Sequence, residues 1–335
     1  MPVRGAPKRG ALPIERQAHP IEIPAVAPGA QLVHRRLMNH DVVIAGGGPA
    51  GLSAALVLGR ARKRVLLCDA GTPRNAAAAG VHNFVTRDGI SPRDFRAAAR
   101  ADLRAYPGVE TRDALVVDVA REGSFLRVTL DDGTTSMARR VILSTGIVDV
   151  LPEISGLREM WGTSAFVCPY CHGWEARERP WGVLATSDAV ATWAPHLLGW
   201  TRDLVAFTDG NTICGDSLES LGRAGVRVVT GKVAHVAAGA VDLVTGERVH
   251  CDVLFVRPAQ RPTPLVERLG LALDEGGFVA VDERGESSMP GVHVAGDATT
   301  MRQGAIFAAS AGMMAAVMID HALNAEDVKQ RATGA

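Results

Sequence analysis

Asp41-Val42-Val43-Ile44-Ala45 is a short apolar run that flows into Gly46-Gly47-Gly48-Pro49-Ala50-Gly51, and an Ala/Leu-rich stretch then continues to Arg60. A second apolar run, Arg64 to Cys68, ends on Asp69. Strand, glycine turn, helix and strand in this order leave few architectures open, because they build one half of a parallel, nucleotide-binding α/β sheet. The glycines have separate duties. Gly46 permits the tight turn, Gly48 lets a pyrophosphate approach the backbone, and Gly51 lets the helix pack close to the strand. Pro49 and Ala50 complete the turn, and the exposed N–H groups there favour phosphate. Asp69, 18 residues beyond Gly51, stands where a carboxylate accepts a ribose hydroxyl.

The remainder predicts a second unit of the same kind. Trp181 to Ala185, Leu204 to Phe207, Val226 to Val229 and Val253 to Val256 read as strands, with helices over 189–198 and 217–224. A lone strand, Val292 to Ala295, and an apolar helix over 303–319 follow, and they need a sheet to join. The first sheet is the natural one. The expected fold is therefore α/β: two Rossmann-like three-layer domains, with the second unit (155–286) inserted into a split first domain (40–154 and 287–325). Residues 1–39, rich in proline and lacking the apolar centre of a signal peptide, read as a flexible extension, and 326–335 as a tail. The five tryptophans, all between 161 and 200, read mainly as core.

Composition limits the function. Thirty-six Lys and Arg balance thirty-six Asp and Glu, which argues against a dedicated nucleic-acid binder. The apolar stretch over 305–319 is short and stops at Asp320, so no membrane span is expected. Five scattered cysteines make no secreted disulfide framework, and a cytoplasmic location is expected.

Two further strand ends join the first site. Thr145-Gly146 and Gly296-Asp297 suggest extra loops around an extended FAD, with Asp297 accepting from the ribityl chain and the N–H groups near Gln303 and Gly304 facing the flavin. The second unit lacks a matching glycine turn. Ala185, Ser187 and Val190 stand at the three expected positions, where Cβ atoms obstruct pyrophosphate. No basic pair follows Phe207, so NADPH is disfavoured; Asp209 leaves NADH open.

Cys168-Pro169-Tyr170-Cys171 supplies two thiols at a spacing suited to redox exchange, and a helix starting there stabilises a thiolate. A zinc knuckle needs two more ligands, and neither Cys214 nor Cys251 belongs to a second close pair, so no metal is expected. His172 adjoins the pair and titrates near physiological pH, which suits a proton shuttle.

GGGPAG at 46–51, LLCDAGTPRN ending at Asn75, CPYCHG at 168–173, GVHVAGD ending at Asp297, and Arg302-Gln303 together resemble the low-molecular-weight thioredoxin reductase family, including its FAD-dependent dithiol-oxidase relatives. The resemblance runs from about His40 to Leu323. It implies a homodimer in which a nicotinamide-type domain (155–286) is inserted into a split FAD-binding domain (40–154 and 287–325), Cys171 beside the flavin, Cys168 meeting the substrate, and flavin contacts from Asp297 and Gln303, with Asn75, His82 and Asn83 in the region near the cofactor. His172 departs from the acidic residue usual in reductases and resembles the variant in oxidases of sulfur-containing natural products. The expected activity is oxidation of a small-molecule dithiol with O2 as acceptor. The alternatives are an NAD(P)H-dependent reductase acting on thioredoxin, and a redox sensor.

Overall fold

β1 (His40–Ala45) and β2 (Val65–Cys68) pair in parallel, with Val42 opposite Val65 and Ala45 opposite Cys68. Both strands are covered on both faces, which is why they read as unbroken apolar runs. The computed structural model describes residues 40–333; the expected extension, 1–39, lies outside them. α1 (Pro49–Arg60) crosses between the two strands, and α2 (Pro92–Leu103) leads to β3 (Val109–Arg112), which pairs with β2. β4 (Val116–Glu122), β5 (Phe125–Leu130) and β6 (Thr135–Leu143) form an antiparallel meander, and β6 also lies parallel to β1.

The chain leaves this domain through β7 (Val148–Val150) and α3 (Leu157–Met160). β8 (Ala165–Phe166), α4 (Pro169–Ala176), β9 (Trp181–Leu184), α5 (Val190–Leu197), β10 (Leu204–Phe207), α6 (Gly215–Arg223) and β11 (Arg227–Val229) open the second domain. A meander of β12 (Val233–Ala237), β13 (Gly239–Leu243) and β14 (Arg248–Cys251) covers one face of its sheet. β15 (Val253–Phe255) completes the parallel order β11-β10-β9-β15-β8.

The return comes earlier than expected. β16 (Ala259–Arg261) pairs antiparallel with β7, making a two-stranded ribbon between the domains. After it, α7 (Pro264–Leu269) and the following loop put Leu265, Val266, Leu271 and Val279 into the first domain's core beside Val116, Leu126 and Leu143. The boundary expected near 286 therefore moves to the ribbon. β17 (Val292–Val294) then pairs with the end of β6, as a lone terminal strand requires.

α8 (Ala305–Ala332) runs through the segment expected to be a tail. Arg139 holds its end by pairing with Glu326 and Asp327, each at 2.7 Å. This helix is long and apolar enough to cross a membrane, with a mean hydropathy of 1.6 in its best window. Here one face packs into a core: Ala308, Ala315, Ala316, Ile319 and Leu323 lie against α1 and the sheet. The approach is close enough that a Cβ on Gly312 would stand 2.0 Å from the Ala50 oxygen.

Candidate active site

The glycine turn has the shape that a diphosphate needs. Gly46 has a φ of 111°, and a Cβ there would lie 2.4 Å from the Ser144 oxygen; one on Gly51 would lie 1.9 Å from the Gly46 oxygen. Both positions require glycine for packing. Gly48 does not: nothing stands within 4 Å of its Cβ position, so open space lies in front of the N-terminus of α1. That space, edged by backbone donors, fits a dinucleotide pyrophosphate.

Asp69 lies at the adjoining strand end, buried against the turn. It accepts the Gly71 N–H at 3.0 Å and pairs with Arg96 and, at 3.5 Å, with Arg100. Burial works to raise its pKa, but Arg96 and the Gly71 N–H outweigh it and hold the carboxyl below its usual range. An ionised carboxylate with lone pairs to spare remains chemically suited to a ribose hydroxyl. Thr145 instead spends its hydroxyl on Thr263, 3.0 Å away, while Gly146, at φ 70°, faces open space.

A polar network, missed in the sequence, sits at the other end of this cradle. Arg74 spans Asp149 (2.6 and 2.8 Å), Asp297 (3.1 Å) and the Gln303 side-chain oxygen (2.6 Å). Gln260 joins from β16 by donating to Asp149 at 2.8 Å and accepting from Gln303 at 2.8 Å. Burial raises the pKa of Asp297, opposed by Arg74 and by the Gly304 N–H. Gly296, at φ 89°, brings this turn against Ala50. The network thus joins the ribbon to two expected flavin contacts. Asn75 and Arg302 lie exposed beside it.

The dithiol opens α4. Cys168 is the N-cap and Pro169 takes the first turn, where no N–H is missed. The sulfurs stand 2.6 Å apart, with the Cys171 thiol donating to Cys168. Their electrostatics are opposite. The Cys171 hydrogen bond, overcoming burial with help from backbone N–H groups and Arg74, lowers the Cys168 pKa to about 7. The same bond, burial and the Cys168 charge push Cys171 far upward, and Asp297 adds to this. In the reduced pair Cys168 is therefore the thiol that ionises first and Cys171 the one that keeps its proton, both within electrostatic reach of Arg74.

His172 stacks on Phe166, with ring centroids 4.1 Å apart. Burial, then His82, lower its pKa, so the imidazole is neutral near pH 7. His82 and Asn83 lie on the dithiol side: Asn83 donates to the Tyr170 carbonyl at 2.8 Å, and His82 stands 3.7 Å from Glu175. They fasten α4 to the first domain. Trp181 is fully buried as expected, but Tyr170 and Trp174 on α4 are 71% and 66% exposed, so the tryptophans are not uniformly core.

The second domain's strand ends hold a cavity of about 160 Å³, lined by Thr186, Ser187, Val190, Trp193 and Arg257 among others. Asp209 is committed elsewhere: one oxygen accepts the Val233 N–H at 2.9 Å and the other pairs with Lys232 at 3.0 Å.

A family model described as pyridine nucleotide-disulphide oxidoreductase matches residues 40–191 and 214–325. This chain belongs to that family. It is a flavin-dependent thiol–disulfide oxidoreductase of the thioredoxin reductase type. It is 31% identical over 299 residues to "Thioredoxin reductase sirT" of Leptosphaeria maculans, covering 82% of this chain and 91% of that protein. It is 38% identical over 178 residues to "Probable thioredoxin reductase" of Arthroderma benhamiae, a match spanning 51% of this chain and only 44% of that protein. The crystal structure of HlmI is 36% identical, with a TM-score of 0.84, covering 88% of this chain and 96% of that one.

Proposed function

We propose that this flavoprotein oxidises a small dithiol to its disulfide through Cys168 and Cys171, with dioxygen as the final acceptor. The observation that carries the reading is the contrast between the two domains' strand ends. The first has an open phosphate cradle in front of Gly48, whereas the second carries Ala185, Ser187 and Val190 where its glycine turn would stand.

With Cys168 and Cys171 joined as a disulfide, a substrate thiolate attacks the Cys168 sulfur. The protein S–S bond breaks, a mixed disulfide forms on Cys168, and Cys171 leaves as the thiolate. The second substrate thiol then attacks the substrate sulfur of the mixed disulfide. Cys168 leaves as a thiolate, to which a pKa of about 7 suits it. Neutral His172, the next residue after Cys171, accepts a substrate proton. The substrate has lost two electrons and the protein pair holds them. FAD, when bound, would supply the two-electron acceptor for the pair and a route for those electrons to dioxygen, with hydrogen peroxide as the reduced product. Gly46, Gly48, Gly51 and Asp69 would hold its adenosine diphosphate half, and Asp297 and Gln303 its flavin half.

The names of the relatives support a second reading, reduction of thioredoxin by NAD(P)H. A homodimer fits either reading, because Met301, Phe307, Met313 and Met314 form an apolar surface at and before the outer face of α8, each at least half exposed. An oxygen electrode separates the readings. Small dithiols are expected to drive oxygen uptake with disulfide product by mass spectrometry, and thioredoxin with NADPH or NADH is not. Turnover with thioredoxin and a nicotinamide, and none with dithiols, overturns the proposal.

A further inference from the structure

We infer that Arg74 is a positioning residue: it ties the ribbon between the domains to the turn after β17, and so fixes where the dithiol stands against the first domain. The inference rests on the proposed passage of electrons from the dithiol to FAD, and names what keeps the two in register.

The ribbon is too small to set an angle by itself. β7 and β16 share three cross-strand pairs, Val150 with Ala259, Asp149 with Gln260 and Val148 with Arg261. A two-stranded ribbon alone is at best marginally stable in water, yet both crossings of the chain between the domains run through this one. Its middle pair is where the first domain takes hold. The Asp149 side chain is 7% exposed. Its oxygens accept from Arg74 Nε at 2.6 Å and Nη2 at 2.8 Å, and Gln260 Nε2 donates a third bond at 2.8 Å. Arg74 Nη1 donates to Asp297 at 3.1 Å and to Gln303 at 2.6 Å. Gln303 and Gln260 close the ring by exchanging side-chain amide hydrogen bonds, at 2.8 and 3.1 Å.

A guanidinium suits this task because its donors lie in one plane as a fixed fork. Once Asp149 takes one edge, the direction of the remaining nitrogen toward Asp297 and Gln303 is set. The same loop makes a second contact. Arg74 and Asn83 both belong to the segment between β2 and α2, and Asn83 donates to the Tyr170 carbonyl of α4 at 2.8 Å. One first-domain loop thus grips the second domain at its ribbon and at its dithiol helix. Removing Arg74 leaves the buried Asp149 carboxylate without its cation, which is costly, and releases the ribbon end of the grip. Arg74 also acts on both thiols through its charge, so the test must separate fork from charge.

The test uses the FAD-loaded protein and its Arg74→Gln, Arg74→Lys and Gln260→Ala variants. Anaerobic stopped-flow with a small dithiol gives the half-saturating concentration and the limiting rate of flavin reduction. Hydrogen exchange read by mass spectrometry gives the protection of β7, β16 and α4. Arg74→Gln is expected to lower the limiting rate about a hundredfold, the effect of a displacement near 1 Å, with half-saturation at Cys168 unchanged. Arg74→Lys, which keeps the charge without the fork, should lose nearly as much. Gln260→Ala leaves every charge in place and should lose about tenfold. In all three the ribbon and α4 are expected to exchange faster, while β9 and β10 stay protected. A full rate in Arg74→Lys makes Arg74 a counter-charge to the thiols and overturns the positioning role; unchanged exchange at the ribbon and α4 overturns it too. If Arg74→Gln does not retain FAD, the other two variants decide by the same criteria. Failure of the dithiol to reduce the unmodified protein overturns the functional reading instead, and the exchange comparison then decides whether Arg74 holds the ribbon.

Discussion

Cys168 and Cys171 have the same side chain and opposite acidities because one hydrogen bond stabilises charge on the first at the expense of the second. In the reduced protein, alkylation of Cys168 should follow its thiolate fraction, with half-maximal rate near the pKa of about 7 rather than the ordinary 9.0. Cys171→Ala removes the donor and should move that midpoint upward by about one unit or more; peptide mass mapping of iodoacetamide labelling across pH measures it. An unmoved midpoint means that the N-terminus of α4 and Arg74 set the acidity alone. His172 acts differently. Burial, then His82, lower its pKa, so it is neutral and can accept a proton at pH 7, and it loses that ability only below the ordinary histidine range. His172→Gln should slow the dithiol half-reaction by about a hundredfold near neutral pH. Much less should be lost where the substrate thiol ionises unaided. Flavin reduction rates across pH check this, and an unchanged profile would make His172 a packing partner of Phe166.

At the first glycine turn, strand, turn and helix were legible because the positive φ of Gly46, the open space at Gly48 and the contact of Gly51 with the Gly46 oxygen all fall within one short segment, although the close approach of Ser144 to Gly46 has no local signature. Gly51→Ala forces a methyl onto the Gly46 oxygen and should cost about 1–3 kcal/mol in denaturant unfolding. Gly48→Ala meets no protein atom, so it should keep the fold's stability without cofactor while FAD content falls sharply; retained FAD would remove the pyrophosphate from this turn. The ribbon was not legible. β7 and β16 have three residues each and pair across more than a hundred positions, leaving no periodicity to detect. Arg74 escaped notice for a similar reason: it stands inside a recognisable stretch, but its partners Asp149, Gln303 and Asp297 are 75 residues or more away. The end of α8 was mistaken for a tail because its apolar pattern fades after Leu323, where ion pairs to Arg139 take over.

Across the whole molecule, the split first domain followed from one fact of the sequence, a terminal strand with no sheet of its own. How the second domain is set against the first did not follow, because that depends on contacts such as Asn83 to the Tyr170 carbonyl, which have no local signature. Those contacts put the dithiol near Arg74 and Asp297, while Ala185, Ser187 and Val190 stand where the second domain would carry a glycine turn. Electrons are thereby expected to enter at the thiols. Anaerobic stopped-flow absorbance of the FAD-loaded protein tests this most directly, with a small dithiol, NADPH and NADH mixed separately. Bleaching by the dithiol alone, reversed on admitting air, is the expected result. Rapid, saturable bleaching by either nicotinamide, with none by the dithiol, contradicts it.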